Sequence, residues 1–113
     1  MKFTTTQRGS VTVLTITENL MGGPDASTLH TKLHELIDKG RKQVVIDMHG
    51  VKVINSSGLG LLIGGITTMK NAGGRLVFAN MSEKVSSLIV IAKLTSVFQQ
   101  YGSVDDAIKV FRK

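Results

Sequence analysis

The chain has 113 residues without a single cysteine or tryptophan, and only one proline. Without cysteine there is no disulfide framework and no thiolate metal site. Aromatic residues make up 4%, and no two of them are spaced as a stacking platform for bases. Apolar runs are broken by Gly, Thr or Lys within about ten residues, short of the ~20 that a membrane-spanning helix needs. The first residues, Met1 to Thr6, contain no apolar signal core. The expectation is a cytoplasmic protein with no membrane insertion. No Pro/Gly/Ser-rich linker, internal repeat or low-complexity tract divides the sequence.

What is present describes a globular chain. Hydrophobic residues reach 42%, well above a disordered composition, and the length suits one domain, residues 1–113, around one core. The net charge of +6 fits nucleic acid, anionic lipid or an acidic protein surface. Lysines and arginines are scattered rather than blocked. With so few aromatics, this speaks against nucleic acid and for mild steering toward an acidic partner.

Residues 11–17 (VTVLTIT) alternate apolar and polar, as a half-buried strand does. Residues 3–8 form a weaker strand, joined to it by the Gly9-Ser10 hairpin signal. Met21-Gly22-Gly23 is a turn, and Pro24 suits the first position of the next helix. That helix carries Ala26, Leu29, Leu33, Leu36 and Ile37 on one stripe and stops at Gly40. Val44-Val45-Ile46 reads as a strand covered on both faces. A second helix is predicted over residues 57–71, ended by Gly73-Gly74, and a strand over 75–79. Ser82 can cap a third helix bearing Val85, Leu88, Ile89 and Ala92. Residues 97–100 read as a short edge strand. Ser103 and Asp106 resemble a capping box before a last stripe of Val104, Ala107, Ile108 and Phe111. A hairpin followed by helix–strand units implies an α/β fold: a mixed sheet, parallel in its later part, with about four flanking helices.

Chemistry concentrates at Ile54-Asn55-Ser56-Ser57-Gly58-Leu59-Gly60, where a strand-like segment gives way to the second helix. A phosphate on either serine would meet free N–H groups and the positive end of the helix dipole. A lone N-cap serine is the plainer alternative, worth ~1 kcal/mol. On a helical wheel Leu59, Leu62, Ile63, Ile66 and Met69 form a core stripe, and Gly60, Leu61, Gly64, Gly65 and Thr68 lie opposite. Three interior glycines cost a helix roughly 2–3 kcal/mol relative to alanine. Either another part of the same chain packs closely there, or a partner docks with Leu61 as its apolar contact. On the second reading Leu61→Lys abolishes partner binding and leaves the fold intact.

Catalytic patterns are weak. Asp47, His49 and Ser56 are the residue types of a hydrolase triad, but the serine lacks a Gly-x-Ser-x-Gly elbow. His30 and His34 are i, i+4 on the first helix with no third ligand fixed by spacing, so solvated histidines are expected and no metal. The glycine-rich turns match no phosphate-loop fingerprint. No enzyme activity and no cofactor are expected.

Residues 55–60 (NSSGLG), preceded by 44–47 (VVID) and followed by 71–76 (NAGGRL), resemble the STAS family of anti-sigma factor antagonists and related domains. The resemblance covers nearly the whole chain. It implies a small mixed sheet flanked by helices, and a function of binding a serine-kinase anti-sigma factor. In such members the unphosphorylated protein holds the kinase, phosphorylation releases it and a phosphatase resets it. The phosphorylated serine follows an Asp in Asp-Ser-Ser-Gly, and the matching residue here is Ser56. Asn55 replaces that Asp, keeping its shape without its charge. A Leu-Asp common after the family's second strand is here Leu20-Met21, followed by Gly22-Gly23. Taken together with the helical wheel, the resemblance gives an expected partner surface of Met21, Gly22, Gly23, Asn55, Ser57, Gly58, Gly60, Leu61 and Gly64 around Ser56. The alternative is an accessory or scaffold subunit, for example of a lipid-transport complex, with no phosphorylation cycle.

Overall fold

The structure, a computed structural model, describes residues 2–20 and 24–112. Strands β1 (Phe3–Arg8) and β2 (Val11–Ile16) pair antiparallel, with Phe3 opposite Ile16 and Arg8 opposite Val11. β1 is the sheet edge, and its run of threonines, Gln7 and Arg8 is exposed, a composition that leaves no apolar edge for unwanted pairing.

The remaining elements are α1 (Pro24–Asp38), β3 (Gln43–Asp47), α2 (Ser56–Asn71), β4 (Arg75–Ala79), α3 (Glu83–Ile91), β5 (Gln100–Tyr101) and α4 (Val104–Lys109). Strand order is β1-β2-β3-β4-β5, and beyond the hairpin every neighbouring pair is parallel. The mixed sheet and four helices read from the sequence are present.

Alternation along the central strands sorts the core into two layers. Leu14, Ile16, Val44, Ile46, Leu76 and Phe78 face α1, α2 and α3. Val11, Val13, Val45 and Val77 face Ala107 and Ile108 of α4 on the other side. This is why Val44-Val45-Ile46 is apolar without a break. The predicted caps of α3 and α4 are in place: the Ser82 hydroxyl accepts from the Val85 N–H at 3.2 Å, and that of Ser103 from the Asp106 N–H at 3.1 Å. α2 ends at Asn71 with Ala72 as its cap, and the next residue, Gly73, has a φ of 80° that suits a residue with no Cβ.

Two boundaries differ from expectation. The edge strand predicted over 97–100 is only Gln100–Tyr101. Phe98 is instead fully buried against Phe78, ring centroids 5.2 Å apart, and serves as a core plug. α2 begins at Ser56 rather than Ser57, with consequences for the site.

Candidate functional site

Residues 48–55 connect β3 to α2, and the end of β2 fixes them. The Asn19 side-chain oxygen accepts from the N–H groups of Lys52 (2.9 Å) and Val53 (3.2 Å). The Ser82 hydroxyl donates to the Lys52 carbonyl at 2.9 Å. Leu20 and Ile54 form an isolated parallel bridge. A side chain at Gly58 would fall against the Leu20 carbonyl oxygen, so glycine is what lets β2's extension lie across the first turn of α2.

Asn55 is the N-cap. Its backbone is extended, φ −100° and ψ −177°, and its side chain accepts from the Gly58 N–H at 2.8 Å. The capping role expected of one serine therefore belongs to Asn55, because asparagine is as good a cap as serine or aspartate. Ser56 and Ser57 become the first two residues of the helix. Both are exposed, and among the described residues neither hydroxyl is held in a hydrogen bond. The first turn of α2 contains no acidic residue, so the helix itself brings no carboxylate to the positive end of its dipole.

Two grooves flank this helix start. Ser57, Gly60 and Gly64 line a cleft of about 640 Å³ between α1 and α2, opposite Ser27 and His30. Val53 and Ile54, just before Asn55, line a second groove of about 550 Å³ with Leu88 and Ile91 of α3. Gly60 and Gly64 are open, with nothing within 4 Å of where a Cβ would stand.

The glycine-rich face divides between the two readings left open by the wheel. Leu61 is not an exposed contact: it is 8% exposed and belongs to the core. Gly65 is buried, and a Cβ there would sit 3.3 Å from Leu33 and 3.5 Å from Leu29 of α1. Gly65 thus seats α1 and Leu61 is taken up by the core, both packed from within the chain, whereas Gly60 and Gly64 are exposed. Leu61→Lys would place a charge in the core and break the fold. Met21, Gly22 and Gly23 lie outside the described residues.

The sequence predicts α3 and its Ser82 cap but not the exposed apolar side of this helix. Its run Leu88-Ile89-Val90-Ile91 is apolar all round, yet a helix lying on a sheet buries only one stripe. Ile89 is fully buried, while Val90 is 60% and Ile91 77% exposed. That excess of apolar residues was the available signal, and it lies beside Ile54, two residues before Ser56.

The other candidates are structural. The Asp47 carboxylate accepts from the Asn80 amide and the backbone N–H of His49, each at 3.0 Å, rather than from the His49 ring. It ties the ends of β3 and β4. His30 and His34 are exposed and stack edge-on, 4.2 Å between centroids. Among the described residues no group of three metal-ligating side chains exists, and no helix is long and apolar enough to cross a membrane.

A family model described as the STAS domain matches residues 2–107. The chain belongs to the STAS domain family. A Bordetella bronchiseptica protein named BtrV, a candidate anti-sigma factor antagonist, is 24% identical over 95 residues, covering 84% of this chain and 82% of that protein. The crystal structure of a candidate anti-sigma factor antagonist from Thermotoga maritima superposes with a TM-score of 0.88 at 19% identity, over 98% of this chain and 95% of that one. The Bacillus cell fate determinant SpoIIAA, in its phosphorylated form, gives 0.72 at 18% identity over 98% and 100% of the two chains. This STAS domain therefore shares the fold of anti-sigma factor antagonists at low identity.

Proposed function

We propose that this STAS protein is an anti-sigma factor antagonist. Unphosphorylated, it holds a serine-kinase anti-sigma factor across the start of α2; phosphorylation of Ser56 releases the kinase, and a phosphatase restores binding. The observation that carries this reading is the exposed Ser56 hydroxyl, which has no hydrogen-bond partner among the described residues, at the first position of a helix whose opening turn has no acidic residue. Two features of the relatives support it. BtrV is a candidate antagonist, and SpoIIAA is known both unphosphorylated and phosphorylated in this same fold.

A phosphoserine adds a charge of about −1.5 to −2. At the first helical residue it meets the positive end of the helix dipole and the N–H groups of the first turn, so the fold tolerates it. A docked partner does not, because it would bury that charge or oppose it with its own. The groove of Ile54, Leu88 and Ile91 supplies the apolar contact that Leu61 cannot, and an apolar side chain of the kinase is its occupant. Asn55 keeps the cap that an aspartate would form and leaves the phosphate without a neighbouring like charge.

The test is capture of the tagged protein's partner from its native cells, followed by mass spectrometry. Recovery of a serine-kinase anti-sigma factor is expected. Recovery of transporter subunits in its place would contradict the proposal and favour an accessory role.

A further inference from the structure

We propose that the end of the molecule opposite Ser56 is a docking face for an anionic lipid surface. The charges that look scattered in the sequence converge there. Arg41 and Lys42 lie between α1 and β3, Lys70 is in the last turn of α2, Arg75 opens β4, and Arg112 follows α4. The Arg75 N–H donates to the Lys42 carbonyl at 2.9 Å, and the Arg75 guanidinium lies 5.9 Å from the centre of the Phe111 ring. These contacts gather the turns into one face around a shallow concavity of about 470 Å³.

All five cations are exposed, and among the described residues none has a carboxylate within ion-pair distance. The acidic residues nearby are largely committed. Asp105 holds Arg8 at 2.9 Å, Asp106 lies 3.5 Å from Lys109, and Glu35 is shared by Lys32 and Lys39. Asp38 remains. Part of the charge has a plain structural use, since α1, α2 and α4 end here and Lys39, Lys70 and Lys109 offset their C-terminal dipoles. Arg41, Lys42, Arg75 and Arg112 lie outside the helices; the Arg41 guanidinium donates to the Gln7 side chain at 3.2 Å and that of Arg75 to the Gln99 side chain at 2.9 Å, neutral partners that leave both charges uncompensated.

The geometry favours a flat, diffuse polyanion over a nucleic acid or a single phosphate ligand. Helix C-termini present carbonyls, and the local N–H groups of Gly73, Gly74 and Arg75 already bond to Lys70, Met69 and Lys42, so no backbone cradle faces outward. The cations stand on turns and on the ends of separate elements, rather than along one helix or ribbon that could lie in a duplex groove. A lipid surface asks only for several cations in one plane and some apolar edge, which half-buried Val110 and Phe111 supply. Ser56 and Lys70 sit at opposite ends of α2, about 20 Å apart at 1.5 Å per residue. A protein resting on this face would keep Ser56 turned toward solvent.

The test is co-sedimentation of the full chain with vesicles of phosphatidylcholine, alone or with about one-third phosphatidylserine. Binding to the phosphatidylserine vesicles alone, and its release by salt, is expected. The triple variant Arg41→Gln/Lys42→Gln/Lys70→Gln should lower partitioning about a hundredfold, about fivefold per cation removed. The charge-matched Lys2→Gln/Lys52→Gln/Lys84→Gln, on the Ser56 end, should change it by less than about threefold, with circular dichroism confirming that both fold. Equal partitioning onto both vesicle types, an equal loss in the second triple variant, or binding to duplex DNA or RNA without binding to vesicles would overturn the proposal.

Discussion

The side-chain oxygen of Asn55 accepts the backbone N–H of Gly58 at 2.8 Å, and this bond leaves the two serines without a capping duty. With Asn55 as cap, neither Ser56 nor Ser57 is needed to start α2. Asn55→Ala should cost ~1 kcal/mol of stability. Asn55→Asp should keep the cap and add up to ~1 kcal/mol from the dipole. Urea denaturation of the three proteins measures both.

Gly58 and Gly64 lie on one helix under opposite constraints. Gly58→Ala drives a methyl into the Leu20 carbonyl and should cost about 2 kcal/mol or more. Gly64→Ala meets nothing within 4 Å and should stabilise the protein by ~0.5–1 kcal/mol. Chemical denaturation checks both signs.

Leu61, which the helical wheel offered as a partner contact, is a core residue, whereas Ile91 of α3 is exposed. Leu61→Lys should leave the protein unfolded or destabilised by more than ~3 kcal/mol, since it buries an unpaired charge. Ile91→Lys, at a position 77% exposed, should change stability by less than ~0.5 kcal/mol and weaken binding to the captured kinase by ~1–2 kcal/mol, about tenfold. Calorimetric titration alongside thermal unfolding separates the two effects.

The fold was legible because its signals are local. Strand alternation in residues 11–16, the serine caps of α3 and α4, and the glycines closing α1 and α2 each act within a few residues. The site was legible in position but not in facing. α2 is apolar on two sides, so periodicity alone cannot say which side meets α1; only the contacts of Leu29 and Leu33 with Gly65 decide it. The same holds for α3, where the single core stripe absorbs Leu88 and Ile89 in a sequence reading and leaves Val90 and Ile91 unaccounted for. The short β5 has a tertiary cause as well: Phe98 is drawn into the core beside Phe78, which ends pairing before Gln100.

The most direct measurement is phosphosite mapping after incubation with the captured kinase and ATP, paired with binding of the serine variants. One phosphate should appear, on Ser56. Ser56→Ala should stay bound, and Ser56→Asp should bind about tenfold or more weakly, as like-charge or desolvation penalties of ~1.4 kcal/mol and above require. No phosphate, phosphate on Ser57 alone, or undiminished binding by Ser56→Asp would contradict the switch.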